Sequence, residues 1–275
     1  MAHNLSSTLA VAGIGVRLDL GATTAQRRAV LASRYGEFLQ ADVSTVALAA
    51  VLAIHDAEGD DFLPWSENAP LPVRVRLAGE RLWVRSPWES GWLDMTHGIG
   101  AVTLRPQGDF ENFLRVLFAW LCLQRGGLLL HACGLQRAAN GYLFAGPSGA
   151  GKSTVASLAT GATVLSDDLV IVRPVRGRFH VFATPFHGSA APDRRNTGSA
   201  PLAGIYFLVQ APHHALLPLN MAESLARMVA ATPFVTSLPA GAALTLGACT
   251  RLVSHVPPQA LEFRPDPGFW EVIHG

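Results

Sequence analysis

Apolar and charged residues alternate between positions 73 and 85. Val73-Arg74-Val75-Arg76-Leu77 runs with a period of two, Ala78-Gly79 can turn, and Leu82-Trp83-Val84-Arg85 resumes the alternation. This spacing predicts a β-hairpin with one wet face. Residues 92–95 and 101–105 predict a second hairpin around Gly98 and Gly100, and residues 25–39 and 44–55 read as helices. The chain up to about residue 105 is therefore a small, strand-rich region, and no chemical motif is evident in it. Asp56, Glu58, Asp60 and Asp61 cluster without the spacing of a calcium loop and read as a solvated acidic loop.

Beyond it the pattern changes. Asp109 can cap a helix over 111–125, in which Leu114, Leu117, Phe118, Leu121 and Cys122 recur at helical spacing. Gly126-Gly127 ends it. Leu128-Leu129-Leu130-His131-Ala132-Cys133 then reads as a buried strand, and residues 142–145 as a second one leading into Gly146. A helix is expected over 152–160, closed by Gly161, followed by strands over 163–165, 169–173, 179–184 and 204–210. Asn220-Met221-Ala222-Glu223 resembles a capping box opening a helix to about Ala231. Residues 1–105 and 106–275 are the expected domains, the second of α/β class.

Composition narrows the function classes. Of 275 residues 49% are hydrophobic and 15% charged, which suits a globular chain and argues against global disorder. A net charge of +1 gives no electrostatic case for a nucleic-acid polymer as partner. Cys122, Cys133 and Cys249 are too widely spaced for a CxxC pair and read as buried apolar residues in a reducing compartment. The N-terminus lacks a signal-type apolar run, and the longest apolar stretch, 113–123, is interrupted by Arg115 and far short of the ~20 residues of a spanning helix. No membrane partner is expected, and the protein reads as soluble and cytoplasmic.

Candidate chemistry centres on Gly146-Pro147-Ser148-Gly149-Ala150-Gly151-Lys152-Ser153, which fits GxxxxGK[ST] at every fixed position. Glycines let the backbone N–H groups wrap a phosphate where a Cβ would obstruct. Lys152 brings a charge to the β- and γ-phosphates, and Ser153 a hydroxyl to Mg²⁺. Thr154 joins the nucleotide-binding set. Asp167-Asp168 follows an apolar strand, where one carboxylate can hold the metal and the other accept a proton from an incoming hydroxyl. His131 sits in an apolar strand before the loop, where a lone histidine is usually a core residue.

Together, His131, the loop 146–153 and Asp167-Asp168 resemble the catalytic domain of HPr kinase/phosphorylase, over about residues 125–175 and more weakly to 235. The resemblance implies a P-loop fold akin to phosphoenolpyruvate carboxykinase, with ATP and Mg²⁺ as cofactors and transfer to a serine hydroxyl. It implies Asp168 as the base, Asp167 and His131 in support, and Ser153 and Asp167 toward the metal. Residues 184–188 stand where the family carries a metal-holding glutamate, and contain no acid. That departure predicts a one-way kinase. The strand-rich beginning resembles HPr-kinase-related proteins of peptide-modification clusters, some of which phosphorylate lasso-type precursor peptides. A peptide or small-protein acceptor is therefore expected, with the 73–85 hairpin helping to seat it. A metabolite kinase, a nucleotide-dependent switch without transferase activity, and a homo-oligomer stay open. Arg194 and Arg195 are candidates for reaching phosphate or acceptor, His187 for assisting or packing, and Arg227 reads as a surface charge.

Overall fold

Alternating burial builds the first sheet strand by strand. In the computed structural model, which describes residues 5–40, 46–58, 61–66, 68–188 and 196–274, the chain divides into two units, Met1–Leu121 and Cys122–Gly275. Both are mixed α/β, each with an eight-stranded sheet.

The first sheet comprises β1 (Ser6–Val11), β2 (Ile14–Ala22), β3 (Leu39–Gln40), β4 (Ala47–Asp56), β5 (Arg74–Ala78), β6 (Arg81–Arg85), β7 (Glu89–Asp94) and β8 (Ile99–Leu104). Its order is β3-β1-β2-β4-β8-β7-β6-β5. Both expected hairpins form, β5–β6 and β7–β8, each antiparallel. Helix α1 (Ala25–Tyr35) starts at Thr24, whose hydroxyl accepts the Arg27 amide at 3.1 Å. It stops short of 39, giving way to a 3₁₀ turn over Gly36–Phe38.

The helix expected over 44–55 is not there; that stretch is strand β4 from Ala47 onward. Alanine and leucine favour a helix locally, but β4 lies between β2 and β8, parallel to both. Ala50, Leu52 and Ile54 are buried at alternate positions. Tertiary pairing has overridden propensity.

Asp56 is also more than a solvated acid. The buried Arg27 guanidinium donates to its Oδ1 at 2.8 Å and to the carbonyls of Arg105, Pro106 and Gly108. Desolvation raises the Asp56 carboxyl, yet the Thr24 amide and Arg27 outweigh it and hold the carboxyl below its usual range. Glu58 and Asp61 are exposed as expected, and Asp60 lies outside the described residues. Helix α2 (Glu111–Leu123) is capped by Asp109, whose Oδ1 accepts the Glu111 amide at 3.2 Å. The unit boundary falls within α2.

The second sheet comprises β9 (Leu128–Arg137), β10 (Asn140–Ala145), β11 (Thr163–Ser166), β12 (Leu169–Val175), β13 (Arg178–Phe182), β14 (Ser199–Gln210), β15 (Ala215–Pro218) and β16 (Gln259–Phe263). The order β10-β9-β12-β13-β14-β16-β15 carries β11 beside β9, and β10 pairs again with β14, in parallel. Four helices accompany it: α3 (Lys152–Ser157), α4 (Met221–Ala230), α5 (Pro239–His255) and α6 (Phe269–His274). Asn220 caps α4 through a 2.9 Å bond from the Glu223 amide. Helix α3 is shorter than expected and ends in a turn before Gly161 (φ +76°).

Cys133, Leu135, Phe144, Val155, Tyr206, Phe263 and Phe269 share one buried cluster of this unit. All three cysteines are buried, and burial pushes the Cys122 and Cys249 thiols up to about 12 and about 11. Among the described residues no helix is long and apolar enough to cross a membrane.

Candidate functional site

Strand β10 delivers the chain into the loop from a fully buried Ala145. Two glycines there adopt left-handed backbone, Gly149 with φ +80° and Gly151 with φ +108°. Gly151 is doubly constrained, because a Cβ on it would lie 2.5 Å from Phe263 Cζ. A Cβ on Gly146 would meet the Ala150 methyl at 2.7 Å, so the loop closes on its own first residue. The Ala150 amide donates to Pro147 O at 3.1 Å, and Gln210 Nε2 holds Gly149 O at 2.8 Å. Lys152 turns back along the loop and donates to Gly146 O at 2.8 Å and Pro147 O at 3.1 Å. Burial lowers its pKa, with Asp168 opposing that shift.

The two aspartates occupy the turn between β11 and β12. Ser166 shapes it: its hydroxyl donates to Phe186 O at 2.7 Å and accepts the Asp168 amide at 3.3 Å. Adjacent residues in such a turn face different surroundings. The Asp167 side chain is 0% exposed, accepts the Gly188 amide on Oδ1 at 2.9 Å, and lies 3.8 Å from the buried His187 Nδ1. Asp168 is 24% exposed, and its Oδ1 lies 3.2 Å from Nε2 of the half-exposed His131. That approach follows from register, since the β9–β12 ladder sets Leu169 opposite His131 and the Ala132 amide donates to Asp168 O at 3.0 Å.

An open cleft of about 340 Å³ is lined by His131, Ser148, Gly149, Gly151, Lys152, Ser153, Thr154, Asp167, Asp168 and Gly188. Four separate stretches of the chain thus meet at one place. A second cavity of about 360 Å³ shares His131 and is lined by Gly146, Pro147, Phe207, Leu208, Arg227, Ala230 and Ala231. Ala150 faces the apolar cluster and not either cavity.

Arg227 is therefore a wall residue as well as a surface charge. It pairs with Glu223 at 2.7 Å and lies 5.7 Å over the Phe207 ring. His187 packs in the interior beside Asp167. Arg194 and Arg195 lie outside the described residues. Sequence reading missed Phe207, Gln210 and Phe263, which carry no local motif, and reached Gly188 only through the resemblance at 184–188.

Among the described residues no group of three or more His, Cys, Asp or Glu side chains could hold a metal alone. Mg²⁺ commonly takes one or two carboxylates and completes its shell with water and substrate phosphate. Ser153 with a carboxylate of the Asp167-Asp168 turn fits that donor set. Of the two, Asp168 has the freer access, and Asp167 reaches the cleft from a buried position.

A protein-family model described as SynChlorMet cassette protein ScmC matches residues 112–274, more than half of the chain and every residue of the cleft, and the chain belongs to that family. None of the curated proteins searched matches it.

Proposed function

We propose that this chain is an ATP- and Mg²⁺-dependent serine kinase of the HPr-kinase-like P-loop type, acting on a peptide or small protein such as a ribosomal precursor peptide. The observation that carries the reading is convergence: Lys152, the glycine loop and the His131–Asp168 pair line one cleft. The resemblance of those residues to HPr kinase catalytic domains supports it. The family's description as a cassette protein fits an enzyme working beside others on a shared substrate.

In this mechanism Lys152 exchanges its two loop carbonyls for phosphate oxygens, and the loop amides hold the phosphates in place. Ser153 and Asp167 would hold the cation, which would neutralise negative charge on the phosphates. Asp168 takes the proton of the serine hydroxyl as that oxygen bonds to the γ-phosphorus, and the bridging oxygen leaves with the diphosphate. His131 orients Asp168 across 3.2 Å. The apolar cavity beyond His131 seats a side chain of the acceptor next to its serine. An open cleft with an apolar neighbour favours a peptide over a small metabolite, which needs enclosure.

Residues 184–188 bring a backbone amide to Asp167 and no carboxylate. With fewer fixed carboxylates, attack of inorganic phosphate on phosphoserine loses charge neutralisation, so the reaction runs one way. The test is mass spectrometry of a serine-containing precursor peptide incubated with protein and Mg·ATP. Addition of phosphate to serine is expected, with no removal on adding inorganic phosphate. Phosphorylation of a small alcohol but no peptide overturns the substrate class, and nucleotide binding with no turnover makes the protein a switch.

A further inference from the structure

The outer face of the β5–β7 meander carries a charge pattern that folding does not require. Strand alternation puts Arg74 and Arg76 of β5, Arg81, Trp83 and Arg85 of β6, and Trp92 of β7 on one face, each exposed or half-buried. Arg74 stands opposite Arg85 in the ladder, and like charges so placed destabilise a strand pair. Among the described residues none of these four arginines makes an ion pair. Asp94, on the same face, accepts the amides of Thr96 and His97. Arg81 lies 4.9 Å over Trp92, and a cavity of about 400 Å³ opens between Leu63, Arg74, Arg76, Trp83 and Arg85. Strand β5 ends the sheet order, so among the described residues no strand pairs with its outer edge.

We propose that this face and the edge of β5 bind an extended acidic peptide segment. The strand edge offers N–H and C=O groups to an added strand. The arginines offer forked donors to glutamate and aspartate side chains, and the tryptophans cover aliphatic parts between them. Single-stranded nucleic acid would satisfy the arginines but has no use for a strand edge, which is why a peptide is favoured. The inference does not rest on the phosphotransfer reading, and either fails alone.

Fluorescence anisotropy with the full-length protein and a labelled peptide of alternating Glu and Val, lacking serine, tests it. Binding is expected at low ionic strength and should weaken roughly tenfold in Arg85→Glu, the scale of a lost charge-assisted bond. The same substitution gives Arg74 an opposite charge across the ladder, so Tm should rise while binding falls. Arg17→Glu on β2 changes net charge equally and should leave binding intact. Arg76→Gln carries the same binding test if Arg85→Glu fails to fold. Absence of peptide binding, equal loss in Arg17→Glu, or tighter binding of an equally charged oligothymidylate would overturn the proposal. A lower Tm in Arg85→Glu would make Arg85 structural and remove its basis.

Discussion

The two sheets treat buried charge in opposite ways. In the first unit, Arg27 is enclosed and bonded to a carboxylate and three backbone carbonyls. Those partners fix α1 against β4 and the turn after β8, and none can be exchanged without loss. In the second unit, Lys152 is also buried, but its bonds are to two carbonyls of its own loop, beside an open cleft. A phosphate oxygen can replace either. Burial therefore does not separate architecture from chemistry; replaceable partners beside an open space do.

The largest expected effect tests the second sheet. Asp168→Asn keeps shape but cannot accept a proton, so turnover should fall by roughly 10²–10⁴-fold. Nucleotide binding and Tm should stay near wild type. Wild-type turnover in this variant would remove the base assignment and leave the His131–Asp168 contact structural.

Breaking the first sheet should do the reverse. Arg27→Met leaves Asp56 and three carbonyls without their donor, and loss of one member of a buried pair costs about 3–5 kcal/mol. Urea unfolding reads this directly, and any turnover measured on the folded fraction should be unchanged. A shift below 1 kcal/mol, on the order of an exposed pair, would mean that the first unit is not held by this network.

Glu89 sharpens the same contrast by pH. Burial, opposed by hydrogen bonds from the Phe113 amide and Asn112, raises its pKa from 4.5 to about 8 in the fold. The folded state then keeps a proton that the unfolded chain releases. Stability from this group is complete below about pH 4.5 and is lost as pH rises toward 8, at up to about 1.4 kcal/mol per pH unit. Glu89→Gln should flatten that slope in urea titrations across the window. An unchanged slope would assign the dependence to other groups.

Much of the site was legible because its parts are local. GxxxxGK[ST] is a contiguous device, and within it Gly149 and Gly151 take left-handed backbone while Gly146 leaves no room for a Cβ. His131 and Asp168 were joined only through the resemblance, and the β9–β12 ladder supplies their contact. What stayed hidden comes from pairing between distant segments. Gly188 reaches Asp167 across 21 positions, and Phe263 backs Gly151 from a strand more than a hundred residues later. The 44–55 stretch misled for the same reason: its alanines and leucines state a local preference, and flanking parallel strands decided otherwise. The acidic run at 56–61 hid the Arg27–Asp56 pair because its partner lies 29 positions away.

In the proposed function the loop of the second unit binds a nucleoside triphosphate through Lys152. Thermal unfolding with and without Mg·ATP tests it most directly. A ligand specific for the folded state adds ~2.7 kcal/mol at about a hundred times its dissociation constant, so Tm should rise in the wild type and much less in Lys152→Ala. Equal Tm with and without millimolar nucleotide, or an equal rise in both proteins, would contradict the account.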